Sequence, residues 1–137
     1  MKKVFLDTNI IVDLFFKREP FCNNALRLFT LAYHKKIKLY VCSMSYATLA
    51  YLCWKMEKGQ RTLLFEKLRA ITIATPVNER IIDQALVSDF DDLEDAMQYF
   101  SAVGAKVDVV LTRNKKDFIE ISVPVMTPDE FLFETLA

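Results

Sequence analysis

The sequence predicts an α/β fold: a three-layer α/β/α sandwich around a mostly parallel central sheet of four to five strands. Short apolar runs alternate along the chain with longer stretches of helical periodicity, the pattern of strands joined by helical crossovers. The run Val4–Leu6 is apolar throughout, and Val107–Leu111 is apolar except at Asp108, as strands covered on both faces largely are. Both run directly into polar side chains, Asp7 and Thr112. Right-handed crossovers between such strands place helices on both sides of the sheet, and ligands bind beyond the carboxyl ends of its strands.

Element by element, Val4–Leu6 reads as a central strand. Ile10 to Phe16 keeps helical spacing, with Pro20 beyond its end, and Phe21 to Lys36 forms an amphipathic helix on Ala25, Leu28, Phe29 and Ala32. Lys38–Cys42 is the second strand. Ser43 or Ser45 is expected to cap a helix through Lys55, which Gly59 breaks, and Gln60 to Ala70 forms the next. Ile71–Ala74 is a third strand stopped by Pro76. Asn78 caps a helix through Val87, and Asp91–Asp95 opens another that ends near Gly104. Val107–Leu111 is the fourth strand. Val123–Met126 suits an edge strand, where Pro124 is tolerated, and Pro128 starts a terminal helix over 129–135.

A chain of 137 residues implies a single domain, 1–137, with a real core. Its 53% hydrophobic content and two glycines exclude a disordered or linker-like chain. Eighteen basic residues balance eighteen acidic ones, which argues against tight non-specific binding to duplex DNA. Three cysteines (Cys22, Cys42, Cys53) without a C-x-x-C pair, and one histidine, His34, do not make a structural zinc site. Buried free thiols and a cytoplasmic location are expected instead. Polar residues interrupt every candidate apolar segment, so neither a signal peptide nor a membrane span is expected.

Three polar clusters carry the candidate chemistry. The first is Asp7, Thr8, Asn9 and Asp13. Asp7 emerges at the end of a buried strand, where it serves either a ligand or the free N–H groups of the next helix. Asp13, a turn past Asn9, faces either the site or water. The second is Asp91, Asp92, Glu94 and Asp95. Asp91-x-x-Glu94 resembles a capping box, which leaves Asp92 and Asp95 sharing one face, with Asp95 the better inward-facing ligand. The third is Thr112, Arg113, Asn114 and Asp117. It brings a hydroxyl, an amide and a carboxylate beside Asp7, flanked by Arg113, Lys115 and Lys116 as either a solvated face or phosphate contacts. Aspartates without histidine or cysteine make a hard, all-oxygen site that selects Mg²⁺ or Mn²⁺. Metal-assisted phosphodiester hydrolysis is the chemistry such a site suits.

The opening F-L-D-T-N-I-I-V-D-L, the central E-D-A-M-Q-Y and the late V-V-L-T-R-N-K-K-D-F together resemble a PIN domain, the nuclease fold of the VapC toxins of toxin–antitoxin pairs. The resemblance covers nearly the whole chain. It implies a Mg²⁺- or Mn²⁺-dependent endoribonuclease acting on single-stranded or structured RNA, often homodimeric, with an antitoxin as partner. It assigns Asp7, Asp95 and Asp117 to the first, third and fourth family carboxylates, and Asn9, Thr112 and Asn114 to polar positions that support them. The family's second acid, a glutamate in the helix after the second strand, falls at Thr48, which carries no charge; Asp92 is one substitute. Two other readings follow: a PIN-like module that binds RNA or a protein without cutting, and a phosphatase using Asp7 as nucleophile. The phosphatase pattern wants a second aspartate where this chain has Asn9.

Overall fold

The computed structural model describes residues 1–136. Its strands are β1 (Lys2–Leu6), β2 (Ile37–Cys42), β3 (Thr72–Thr75), β4 (Val109–Leu111) and β5 (Val125–Met126). They form one five-stranded sheet in the order β3-β2-β1-β4-β5, parallel throughout. From β1 the chain winds outward through β2 to β3, then crosses back to add β4 on the other side of β1. The order therefore reverses between β1 and β4, and the crevice beyond their carboxyl ends is the switch point where open α/β sheets hold ligands.

The helices are α1 (Thr8–Phe15), α2 (Cys22–Tyr33), α3 (Ser43–Leu52), α4 (Lys58–Ile71), α5 (Glu79–Leu86), α6 (Leu93–Gly104) and α7 (Pro128–Leu136). Successive side chains of β1 point to opposite faces, and they seed two separate cores. Val4 and Leu6 pack with Ile10 and Ile11 of α1, Leu28 of α2, Leu49 of α3, Leu68 of α4 and Phe131 of α7. Phe5 packs on the other face with Tyr99 and Ala102 of α6, Val110 and Phe118. Five helices thus cover one face, and α6, braced by α5, covers the other.

The ends of several elements differ from the sequence expectation. Cys42, not a serine, occupies the position before α3 and makes no side-chain cap. Ser45 instead lies one turn in, fully buried, where its hydroxyl meets that of Thr8 at 2.6 Å. Gly59 does not break a helix: α3 ends at Leu52, and the Glu57 carboxylate caps α4 by accepting from Gly59 N and Gln60 N at 2.9 and 2.8 Å. A Cβ at Gly59 would sit 3.1 and 3.2 Å from the Glu57 oxygens, so the small residue makes room for the cap. α6 is capped by Asp92, whose Oδ1 accepts from Asp95 N at 2.9 Å, in place of the expected Asp91–Glu94 box. The reciprocal box belongs to α7, between Thr127 and Glu130. Cys42 and Cys53 are buried free thiols, whereas Cys22 is only partly covered.

One buried phenol fixes the loop ahead of β5. Tyr99 Oη accepts from the backbone N–H groups of Ile121, Ser122 and Val123 at 2.9–3.0 Å and donates to Val123 O at 2.9 Å. Tyr99→Phe leaves these groups without their partner, and an unsatisfied buried polar group costs about 1–3 kcal/mol. Urea denaturation is expected to show a loss of that order with far-UV ellipticity unchanged; a loss near zero would mean that water replaces the phenol.

Candidate active site

The switch-point crevice is a cleft of about 340 Å³. Asp7, Asn9, Thr48, Asp92, Asp95, Asn114 and Asp117 all line it, so residues from all three sequence clusters and from α3 meet in one place. Glu94, which the sequence reading assigned to a capping box, and Gln98, which it did not single out, line it as well. No lysine, arginine or histidine is among the lining residues. A larger groove of about 780 Å³ between α3 and α4, lined by Tyr46, Phe65, Arg61 and Arg69, contains none of these acids.

Asp7 is the floor of the cleft. It directly follows β1, its own N–H donates to Leu111 O at 2.9 Å, and its side chain is almost fully buried. Although it stands before α1, its carboxylate makes no capping hydrogen bond. It is held by two side chains from elsewhere: Gln98 Nε2 donates to Oδ1 at 3.0 Å and Thr112 Oγ1 to Oδ2 at 2.8 Å. Both donors are fixed in turn. Gln98 Oε1 accepts from Thr8 N at 3.1 Å and Thr8 Oγ1 at 3.2 Å, while Thr112 Oγ1 accepts from Asn114 N at 3.1 Å. Gln98 has a sequence signal, since it stands three residues after Asp95 and so on the same face of α6.

The electrostatics follow from burial without countercharge. Desolvation pushes the Asp7 carboxyl above its usual range, opposed by the hydrogen bonds from Thr112 and Gln98. Asp95 is half-buried and raised to about 7, first by desolvation and then by the charges of Asp7, Asp92, Asp117 and Glu94. Asp92, Glu94 and Asp117 are exposed on the rim. Among the described residues no three acidic, histidine or cysteine side chains close around a single point as a ready-made metal cage. The donor set nevertheless suits a hard cation, because Mg²⁺ needs one or two protein carboxylates and completes its shell with water and substrate oxygens.

The basic residues fall outside the cleft. Arg113 Nε and Nη2 bind Asp13 Oδ2 and Oδ1 at 2.7 and 3.1 Å, and its guanidinium lies 3.9 Å from the Phe21 ring centre. Asp13 is 1% exposed, so it faces neither the cleft nor water. Arg113 is thereby committed to an internal ion pair, contrary to its expected place on a solvated or phosphate-binding face. Lys115 pairs with Glu130 on the surface at 3.1 Å, and Lys116 is exposed.

Two outcomes are expected. Folding raises the pKa of Asp95 from 3.8 to about 7 and so favours its acid form. Its contribution to stability is therefore full below about pH 4 and declines as pH rises to about 7. Melting temperatures in EDTA should fall over that window in the wild type and fall less in Asp95→Asn; equal declines would exclude Asp95 as the cause. Arg113→Ala strands a buried carboxylate and should cost about 3–5 kcal/mol in chemical denaturation. A change near zero would mean that Asp13 is satisfied by Arg18, 3.9 Å away.

Comparison with known proteins gives this geometry a lineage. Ribonuclease VapC1 of Aquifex aeolicus (strain VF5) is 27% identical over 135 residues, covering 95% of this chain and 93% of that protein. A chain of a toxin–antitoxin complex from Klebsiella pneumoniae has the same fold, with a TM-score of 0.68 and 22% identity over 91% of this chain and 97% of its own. So does a chain of VapBC2 from Rickettsia felis, solved bound to a DNA fragment from its promoter, with a TM-score of 0.64, 19% identity and coverages of 91% and 98%. The family described as PIN domain matches residues 3–116, from the first residues of β1 to the turn that carries Asp117. With Asp7, Asp92, Glu94 and Asp95 of the cleft inside that span and Asp117 one residue beyond it, this chain belongs to the PIN domain family.

Proposed function

We propose that this protein is a divalent-metal-dependent endoribonuclease that hydrolyses RNA phosphodiester bonds at the cleft between β1 and β4. The observation that carries this reading is the set of five carboxylates, with no basic side chain, around about 340 Å³ at the switch point of the sheet. Like charges so placed repel unless a cation lies among them. The likeness to a ribonuclease supports the choice of RNA.

Asp7 and Asp95 are the residues proposed to hold Mg²⁺ or Mn²⁺, with Asp117 on the rim beside them. Such an ion, when bound, lowers the pKa of attacking water and neutralises charge developing on the phosphate. Gln98 and Thr112 keep Asp7 oriented and favour its charged form. Asn9, Asp92 and Asn114 present further oxygen groups to the same space, and Thr48 a hydroxyl. Lys115 and Lys116 are the proposed phosphate contacts, since an exposed pair such as Lys115–Glu130 is weak enough to open. Arg113 acts instead by holding the loop.

The similar solved structures are toxin–antitoxin complexes, which supports an antitoxin as partner and the toxin's role for this chain. The family resemblance supports a homodimer, and the free thiols suit a reducing cytoplasm. No helix among the described residues is long and apolar enough to cross a membrane. A second reading, a PIN-like module that binds RNA or a partner without cutting, is favoured by threonine at position 48.

One assay separates them. Purified protein with Mn²⁺ should cleave single-stranded or hairpin RNA, and either Asp7→Asn or EDTA should abolish the cleavage. Cleavage that survives both belongs to a contaminant and overturns the nuclease reading. RNA binding with no turnover establishes the binding module, and turnover that depends on Asp95 removes it.

A further inference from the structure

The shortfall in the acid set lies on α3, where Thr48 occupies the position of the glutamate that the family resemblance leads one to expect. Thr48 faces a carboxylate from another helix. Its hydroxyl stands 3.4 Å from Glu94 Oε1, across 46 residues of sequence, and both side chains line the cleft. We propose that Glu94 supplies from α6 the acid that α3 lacks, and that Thr48 positions it toward the bound cation. This rests on the reading of the cleft as a divalent-cation site.

Three observations favour Glu94 over its neighbours. Asp92 already spends Oδ1 on capping Asp95 N, which ties it to the start of α6. Glu94 has no such duty: it stands between the cap residue and Asp95, makes no ion pair among the described residues, and its one side-chain hydrogen bond runs to Thr48. Acids in a first helical turn are commonplace because the dipole favours them, but that effect selects no partner on a second helix.

The residue pair is also mutually selective. A glutamate at position 48 would set two carboxylates against one another where the hydroxyl and Glu94 now meet, and one would be driven toward its neutral form. Threonine accepts the incoming acid without adding charge. At 3.4 Å the contact is long for an O–H···O bond, so it orients Glu94 while leaving that side chain able to move inward. The α3–α6 contact therefore keeps one acid, carried by the opposite helix.

Mn²⁺ affinity, measured by titration calorimetry on the full chain, tests this without RNA. Glu94→Gln should weaken Mn²⁺ binding by roughly 10- to 100-fold, the range seen when supporting groups of metal sites are removed. Melting temperature in EDTA should hold at or above the wild-type value. Adding Thr48→Glu to that variant should restore most of the affinity, a rescue that a purely structural role for Glu94 would not give. Wild-type affinity in Glu94→Gln, beside lost binding in Asp7→Asn, overturns the proposal and leaves the cation site standing. No Mn²⁺ binding by the wild type overturns the cation site and this inference with it.

Discussion

Asp7 is an ionisable group buried at 3% exposure and held there by neutral donors alone. Removing a carboxylate from water costs on the order of several kcal/mol, and a hydrogen bond to a charged group returns roughly 1.5–3 kcal/mol. Two such bonds offset the cost only if both donors arrive in place, and each comes from a distant part of the chain. Gln98 requires α6 to be seated across the sheet, and Thr112 requires β4 to lie beside β1 in register, with Leu6 opposite Leu111. The sheet order, the docking of α6 and the exit path of β4 are thus all conditions for one tolerable carboxylate. A fold centred on such a group is held to one arrangement rather than made especially stable.

The exit of β4 shows how two demands are met by adjacent residues. Thr112 turns inward to Asp7, and Arg113 turns away to Asp13. Both aspartates belong to the same local segment, one just before α1 and one within it. The loop that follows β4 is therefore tied to the start and the body of a single helix. Phe21 closes the outer side by stacking on the guanidinium, which keeps the ion pair partly sheltered from solvent.

Strands, helices and their order were legible in the sequence because hydrophobic period is a local property, and a parallel sheet writes its buried strands as unbroken apolar runs. The convergence of Asp7, Asp95, Asn114 and Asp117 was legible too, since strand ends and helix starts share one edge of such a sheet. What stayed hidden depends on partners remote in sequence. Arg113-Asn114-Lys115-Lys116 looks like a solvated basic face until Asp13, 100 residues earlier, claims the arginine. Gln98 looks like any amide on a helix until its oxygen and nitrogen are seen dividing Thr8 from Asp7. Asp92 displaced the expected Asp91 cap, and Glu57 caps a helix for which the sequence suggested none, because position relative to the first helical turn, not residue type alone, decides which side chain reaches the free N–H groups.

The cleft has two mechanical parts. Its floor, running from Asn114 through Thr112, Asp7, Gln98 and Thr8 to Ser45, is a continuous chain of hydrogen bonds among buried or half-buried groups. Its rim is made of exposed carboxylates on first turns, where side chains reorient on the picosecond-to-nanosecond scale. Adaptation to a scissile phosphate of variable approach is then a task for the rim, carried out in side-chain torsions. The floor fixes the reference frame against which those torsions count. Changes in what the cleft accepts are open to surface substitutions on α6 and the turn after β4, whereas altering the floor means redesigning the sheet.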